Sequence, residues 1–157
     1  MKRNPFVLKL LPGFDEAAFA PPADAPVANF SAWRIADFLF CYGEWADDAD
    51  FGWIDSIPNT EVFAAPGTLR LMYHDIGIVR EDKTLIRHRV FATRLHKGCE
   101  EEYKRRHDAL INARGDAVTQ GPESNFTIWH AHGYIFGYCE LVKSYDHPMT
   151  EEERAAR

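Results

Sequence analysis

One short segment carries side chains that could transfer protons. Tyr103, His107 and Leu110 fall at positions i, i+4 and i+7, so in a helix they share one face. Histidine titrates near neutral pH and can both remove and donate a proton, and a neighbouring tyrosine hydroxyl could orient it. This chemistry makes His107 and Tyr103 candidates for catalytic residues, the alternative being that His107 is a hydrogen-bonded core histidine.

Other rings could line a pocket with that helix. His130 and His132 are one residue apart, so on a strand both side chains project to the same face. A zinc site would need further ligands, and no Cys, His or Asp stands at a recognisable spacing, so we predict no metal. The sequence also has no P-loop and no Gly-rich dinucleotide motif, so we predict no cofactor. Turn-exposed histidines are the alternative. The candidate substrate-binding residues are His130, His132, Trp129, Tyr138 and His74.

The elements that position these residues are repeated along the chain. Residues 29–44 align with residues 125–140 without a gap, and Asn, Phe, Trp, Phe, Tyr and Glu coincide. A second match aligns residues 6–13 with residues 91–98. Two matches in the same order predict a tandem duplication, with a first copy over residues 1–80 and a second copy over residues 86–157.

Periodicity indicates how each copy is built. In the second copy, an alternating strand at residues 91–95 precedes a helix from Glu100 to about Ala113, and two aromatic-rich strands form a hairpin. The first copy continues to a final strand at residues 69–79. This β-α-β-β-α-β order predicts an α+β, ferredoxin-like fold. We expect a shortened first helix in the first copy, and in the second copy a helix that begins near residue 151 with no final strand after it.

The second copy resembles a known family. Its most specific motif is Glu-Glu-Tyr-Lys-Arg-Arg-His at residues 101–107, which is similar to the opening of the L-rhamnose mutarotase family. Residues 125–129, the Phe-Gly-Tyr step at residues 136–138, and residues 69–75 extend the resemblance. It implies a dimeric α/β barrel, here formed within one chain, and a cofactor-independent isomerase that interconverts sugar anomers. The family's acid/base histidine would correspond to His107 and a site tyrosine to Tyr103.

Composition narrows the range of partners. The 157 residues carry a formal net charge of -6, which does not favour nucleic acid or an anionic membrane surface. Three cysteines without metal or disulfide spacing indicate free thiols and a cytoplasmic location. We predict a small-molecule substrate and either a monomer with a pseudo-dimeric barrel or a homodimer that exchanges sheet edges. Alternative functions are a polyketide cyclase or cofactor-free monooxygenase of the same fold, or a non-catalytic small-molecule binding protein.

Overall fold

The structure, a computed structural model, describes residues 1–143 and combines one α-helix with two antiparallel sheets. The predicted α+β, ferredoxin-like class is therefore confirmed. The predicted helix near residue 151 lies outside the described residues. Three 3₁₀ helices cover Glu16–Ala18, Gly52–Ser56 and Lys83–Leu85. The other elements are β1 (Lys2–Arg3), β2 (Phe6–Leu10), β3 (Val27–Ile35), β4 (Phe38–Trp45), β5 (Thr60–Ala64), β6 (Arg70–Gly77), β7 (Ile86–Arg94), α1 (Glu100–Arg114), β8 (Glu123–Ala131) and β9 (Tyr134–Val142).

The first sheet has the strand order β3-β4-β2-β5, with the short β1 also paired to β4. Along the chain this is the β-α-β-β-α-β plan, in which 3₁₀ helices replace both α-helices. The segment before β3 contains three prolines, at positions 21, 22 and 26, which cannot occupy a helix interior. Where the sequence predicts a shortened first helix, the structure has the three-residue 3₁₀ helix Glu16–Ala18.

The second sheet has the strand order β6-β8-β9-β7, and this corrects one sequence prediction. The strand expected at residues 69–79 exists as β6, but it pairs with β8 instead of completing the first sheet. The shorter β5 takes the final place of the first sheet, beside β2. The boundary between the two sheets therefore falls after β5, earlier in the chain than the predicted boundary between the two copies. The tandem duplication remains a prediction from the sequence.

The two hairpins, β3-β4 and β8-β9, share their geometry. Trp33 pairs with Phe40 as Trp129 pairs with Phe136, and each hairpin shifts register just after its first few residues. Asn29 and Asn125 lie at those shifts with φ of 51° and 49°, a left-handed conformation that asparagine tolerates better than most residues. The left-handed backbone conformation at each register shift therefore explains why asparagine recurs at this position.

The core lies between the two sheets, whose facing surfaces we call the inner faces. Phe40 stacks on Phe136 with ring centroids 5.6 Å apart, and Tyr42 stacks on Tyr138 at 3.7 Å. All four rings are fully buried, which makes this aromatic contact the main apolar connection between the sheets. Within residues 1–143, no helix has the length and apolar character needed to cross a membrane.

Candidate functional site

The helix that carries His107 lies on the outer face of the second sheet. Three glutamates fill the first turn of α1, and Gly115 follows its last residue with φ of 59°, which suits the helix dipole and the C-terminal turn. Ion pairs join the helix to β6 near both ends, Arg70 to Glu101 and Arg114 to Asp75. None of the α1 side chains is fully buried, so the helix leaves a gap above the sheet.

That gap is a cleft of about 280 Å³, which we call the outer cleft. Residues from α1, β6 and β8, together with Thr119 from the loop before β8, form its walls. They are Tyr73, Asp75, His107, Leu110, Thr119, Glu123, Phe126 and Ile128. Apolar and aromatic rings beside a few acidic and hydroxyl groups are the chemistry of a small-molecule site.

His107 is held in a defined orientation. Its Nδ1 lies 2.8 Å from the backbone oxygen of Tyr103, and because a carbonyl only accepts hydrogen bonds, Nδ1 carries a proton. The imidazole stacks on the Tyr103 ring at 4.2 Å and meets the Tyr73 ring edge-on at 5.3 Å. Nε2 has no hydrogen-bond partner among residues 1–143. It is therefore the nitrogen that can exchange a proton with a bound molecule.

A register shift brings Tyr73 to the cleft. The pairing of β6 with β8 slips between Leu71 and Tyr73, so the consecutive residues Met72 and Tyr73 both pack in the apolar cluster of the outer face. Burial, followed by the charge of Asp75, raises the pKa of the Tyr73 hydroxyl above its ordinary value. Burial also raises the pKa of Tyr103. Both hydroxyls thus keep their protons at neutral pH and act as hydrogen-bond donors.

The other predicted site residues lie elsewhere. Trp129 and Tyr138 are buried on the inner face, and His74 bonds through Nε2 to Asn125 Oδ1, 3.0 Å away, on that same face. The sheet separates these three residues from His107. His130 lies on the outer face with its Nε2 3.1 Å from Glu100 Oε2, and His132 is exposed in the β8-β9 turn against Phe63.

The inner face contains a polar network that sequence reasoning missed, built from Asn29, Tyr42, Glu44, Asn125, Tyr138 and Glu140. Asn29 Nδ2 donates to Glu44 Oε2 at 3.0 Å and to Glu140 Oε2 at 2.8 Å. Tyr138 OH donates to Glu140 Oε2 at 2.6 Å. The signal for this network was present, because each of its three residue types recurs at the same place in both aligned blocks.

Glu140 is fully buried yet ionised. Burial by itself raises the pKa of a carboxyl, but hydrogen bonds from Lys83, Tyr138 and Asn29 outweigh it and hold the Glu140 pKa below the ordinary value. Lys83 Nζ lies 2.7 Å from Glu140 Oε1. Burial first and the Glu140 charge second raise the pKa of Tyr138. Since its members satisfy one another, the network joins the sheets and is not an open site.

Two residues occupy equivalent places beside this network. Arg3 pairs with Glu44 in the first sheet as His88 pairs with Glu140 in the second. Arg3 donates to Asn125 Oδ1, and His88 Nε2 lies 3.3 Å from Asn29 Oδ1. Each side chain therefore bonds to the asparagine of the opposite sheet. Within the described part of the chain, no group of three or more His, Cys, Asp or Glu side chains is placed to hold a metal ion.

Comparison with known proteins supports the resemblance of the second copy. The sequence model of the L-rhamnose mutarotase family matches residues 88–157, slightly less than half of the chain. The comparisons with curated proteins and with solved structures found no match. The matched segment contains His107, Tyr103, Glu123 and Phe126 of the outer face, whereas Tyr73 and Asp75 lie outside it.

Proposed function

We propose that this protein is a cofactor-independent, mutarotase-like isomerase that interconverts the anomers of a small sugar such as L-rhamnose at the outer cleft. The observation that carries the proposal is the position of His107, which lies in the segment matched by the mutarotase family and lines the outer cleft with Nε2 unbonded. The proposed ligand is a small molecule, since a cleft of about 280 Å³ with aromatic and polar walls has the size and chemistry of a small-molecule site.

The reaction needs proton transfer at two oxygens. Ring opening removes the proton of the anomeric hydroxyl, breaks the bond between C1 and the ring oxygen, and protonates that ring oxygen. The resulting aldehyde rotates and closes again on its other face. His107 can perform one of these transfers through Nε2, because the bond from Nδ1 to the Tyr103 carbonyl fixes the ring while Nε2 gains or loses the proton.

The walls of the cleft suit an uncharged sugar. Tyr73 and Phe126 contact each other edge-on at 5.8 Å and offer aromatic surface against which the C–H face of a pyranose can pack. Asp75 and Thr119 supply polar groups beside them. The cationic side chains next to the cleft are paired, Arg114 with Asp75 and Arg89 with Glu123, so an anionic sugar would find no free positive charge in these pairs.

The test is saturation-transfer NMR of anomer exchange, with L-rhamnose and a panel of free sugars in a buffer that does not itself catalyse mutarotation. His107→Ala should lose about 10²–10⁴-fold of the enzymatic rate, while the melting temperature changes little because the ring lies in an open cleft and is only partly buried. His107→Gln can hydrogen-bond but not titrate, so it should lose nearly as much. Tyr103→Phe should lose less than either variant.

A control variant and two outcomes make the test decisive. His96→Ala alters an exposed histidine in the loop before α1 and should leave the exchange rate unchanged. Exchange no faster than in buffer for every sugar would refute the proposal and favour the cyclase, monooxygenase or binding alternatives. Acceleration that survives in His107→Ala would keep the reaction and remove His107 from it.

A further inference from the structure

We propose that Glu123 is the second proton-transfer group of the outer cleft and acts opposite His107. This inference rests on the proposed function, since it assigns the proton transfer that His107 leaves unassigned. Glu123 is the first residue of β8 and lines the cleft with His107, which reaches it from α1. The two groups thus belong to two different elements that face each other across one space.

The backbone brings Glu123 close to β6. Gly77 ends β6 with φ of 60°, and a β-carbon at that position would lie 2.8 Å from the backbone oxygen of Glu123. Only glycine permits so close an approach in this left-handed conformation. Glu123 is thereby held beside the end of β6, where Asp75 also lines the cleft.

The carboxylate of Glu123 has a free oxygen. Arg89 NH2 donates to Oε1 at 2.6 Å, and this charged hydrogen bond fixes the side chain. Oε2 has no hydrogen-bond partner within residues 1–143. A carboxyl group that lines the cleft, is held through one oxygen and has its other oxygen unbonded is equipped to accept a proton from a ligand hydroxyl.

The other acidic groups of the cleft are less suited to this task. Asp75 Oδ1 forms an ion pair with Arg114 and accepts a hydrogen bond from the Gly77 amide, and Oδ2 accepts from Thr119 at 2.6 Å. Both of its oxygens are therefore occupied. The Tyr73 hydroxyl retains its proton, for the reasons given above, and can donate a hydrogen bond to the sugar without exchanging a proton.

The first copy supplies an independent comparison. Glu123 pairs with Leu141 as Val27 pairs with Trp45 in the equivalent hairpin. Val27 packs in the apolar cluster on the outer face of the first sheet, and no α-helix among the described residues 1–143 covers that face. The carboxylate is therefore present in the hairpin that borders the cleft and absent from the hairpin that does not.

The proposed step balances as follows. Glu123 Oε2 accepts the proton of the anomeric hydroxyl, and the released electron pair forms the C1=O1 double bond. The bond between C1 and the ring oxygen breaks, and the ring oxygen takes a proton from protonated His107 Nε2. After rotation of the aldehyde, closure reverses each transfer and returns both residues to their starting states, so no oxidant, reductant or further reactant is needed.

The first experiment measures the rate of anomer exchange in the full chain. Glu123→Gln should lower the exchange rate by about 10²-fold or more, because an amide cannot take up the proton of the anomeric hydroxyl. Glu123→Asp, which keeps the carboxylate, should restore part of the rate. Glu16→Gln is the matched control, since it breaks a comparably exposed pair with Arg34 on the first sheet and should leave the rate unchanged.

The second experiment does not depend on turnover. Binding is measured at pH 7 for an iminosugar whose protonated nitrogen takes the place of the anomeric carbon. Wild type and Glu16→Gln should bind it equally, and Glu123→Gln should bind it about tenfold or more weakly, since a charged hydrogen bond is lost.

The outcomes separate the two proposals. Wild-type exchange that persists within threefold in Glu123→Gln overturns the role of Glu123 and leaves the isomerase function standing. If wild type accelerates no exchange, the proposed function fails, and iminosugar binding becomes the test of the role of Glu123. Equal binding by wild type and Glu123→Gln then overturns Glu123 as well, whereas selective loss supports it as the group that faces the anomeric carbon.

Discussion

The outer faces of the two sheets differ far more than their inner faces do. Outside the first sheet, Phe19, Phe30 and Trp45 pack in one apolar cluster with Phe51 and Trp53. Outside the second sheet, α1 stands over Phe126, the residue aligned with Phe30, and leaves the outer cleft open beside it. The two hairpins thus have the same backbone geometry, but the outer face of the first sheet is a closed apolar surface and that of the second sheet borders a cleft that contains His107.

This difference shows which parts of the frame are free to change. The inner faces share aromatic stacking and hydrogen bonds across the sheets, so a change on one side affects the other. Within residues 1–143, the outer face of the first sheet packs against irregular segments and 3₁₀ turns, and the outer face of the second sheet packs against α1. These covering segments differ between the two copies in length and type. We therefore expect the free energy of unfolding to depend similarly on both sheets. We expect the catalytic rate to depend on the second sheet and α1.

The largest stability effect should come from the shared core. Phe40→Ala and Phe136→Ala should each lower the free energy of unfolding by about 3–5 kcal/mol, because each removes a buried ring that stacks on the other. Chemical denaturation of the two single variants and the double variant measures the costs and their coupling. A much smaller cost for one ring than for the other would show that the inner faces are not equivalent.

A smaller effect should distinguish the two sheets. Phe91 pairs with Gly137 as Phe6 pairs with Cys41, and a β-carbon on Gly137 would overlap the Phe91 ring. Gly137→Ala should therefore cost about 1–3 kcal/mol through overpacking, and Phe91→Leu should restore part of that loss. Thermal unfolding of both variants, with Cys41→Ala as the first-sheet comparison, provides the measurement. Wild-type stability in Gly137→Ala would contradict the close packing.

The smallest effect should be a decrease in the free energy of unfolding at acidic pH that is caused by His88. His88 lies in the second sheet at the position equivalent to the permanently charged Arg3 of the first sheet. Burial lowers the pKa of His88 below its ordinary value. The charge of Glu140 raises this pKa and the charge of Lys83 lowers it, but burial has the largest effect. Burial also lowers the pKa of His74. A lowered folded-state pKa means that the unfolded chain binds more protons below about pH 6.5, so the free energy of unfolding should fall as the pH drops beneath that value.

Replacement of His88 tests this expectation. His88→Gln can still donate to Asn29 but does not titrate, so its free energy of unfolding should change less between pH 7 and pH 5 than that of wild type. His96→Gln, at an exposed histidine, is the control and should follow wild type. Identical pH dependence in His88→Gln and wild type would show that protonation of His88 does not oppose folding.

The sequence predicted the local elements well because their signals are local. The hairpins were visible as repeated aromatic residues, α1 as a run of strong helix formers, and His107 with Tyr103 as a spaced pair. The sheet to which β6 belongs could not be predicted, since its pairing with β8 joins residues about fifty positions apart and depends on packing rather than on local preference. Tyr73, Asp75 and Glu123 were missed as cleft residues for the same reason.

The pairing of β6 with β8 also has a consequence for synthesis of the chain. While the ribosome is still making residues 123–142, the first sheet already exists as a complete sequence, but the partner for Phe38, Phe40 and Tyr42 has not emerged. β6 meanwhile has neither edge paired, and unpaired strands and bare aromatic surface favour association between nascent chains. Fragments that end before β8 should therefore aggregate, and rapid release or chaperone binding of the nascent chain should determine the yield of active protein.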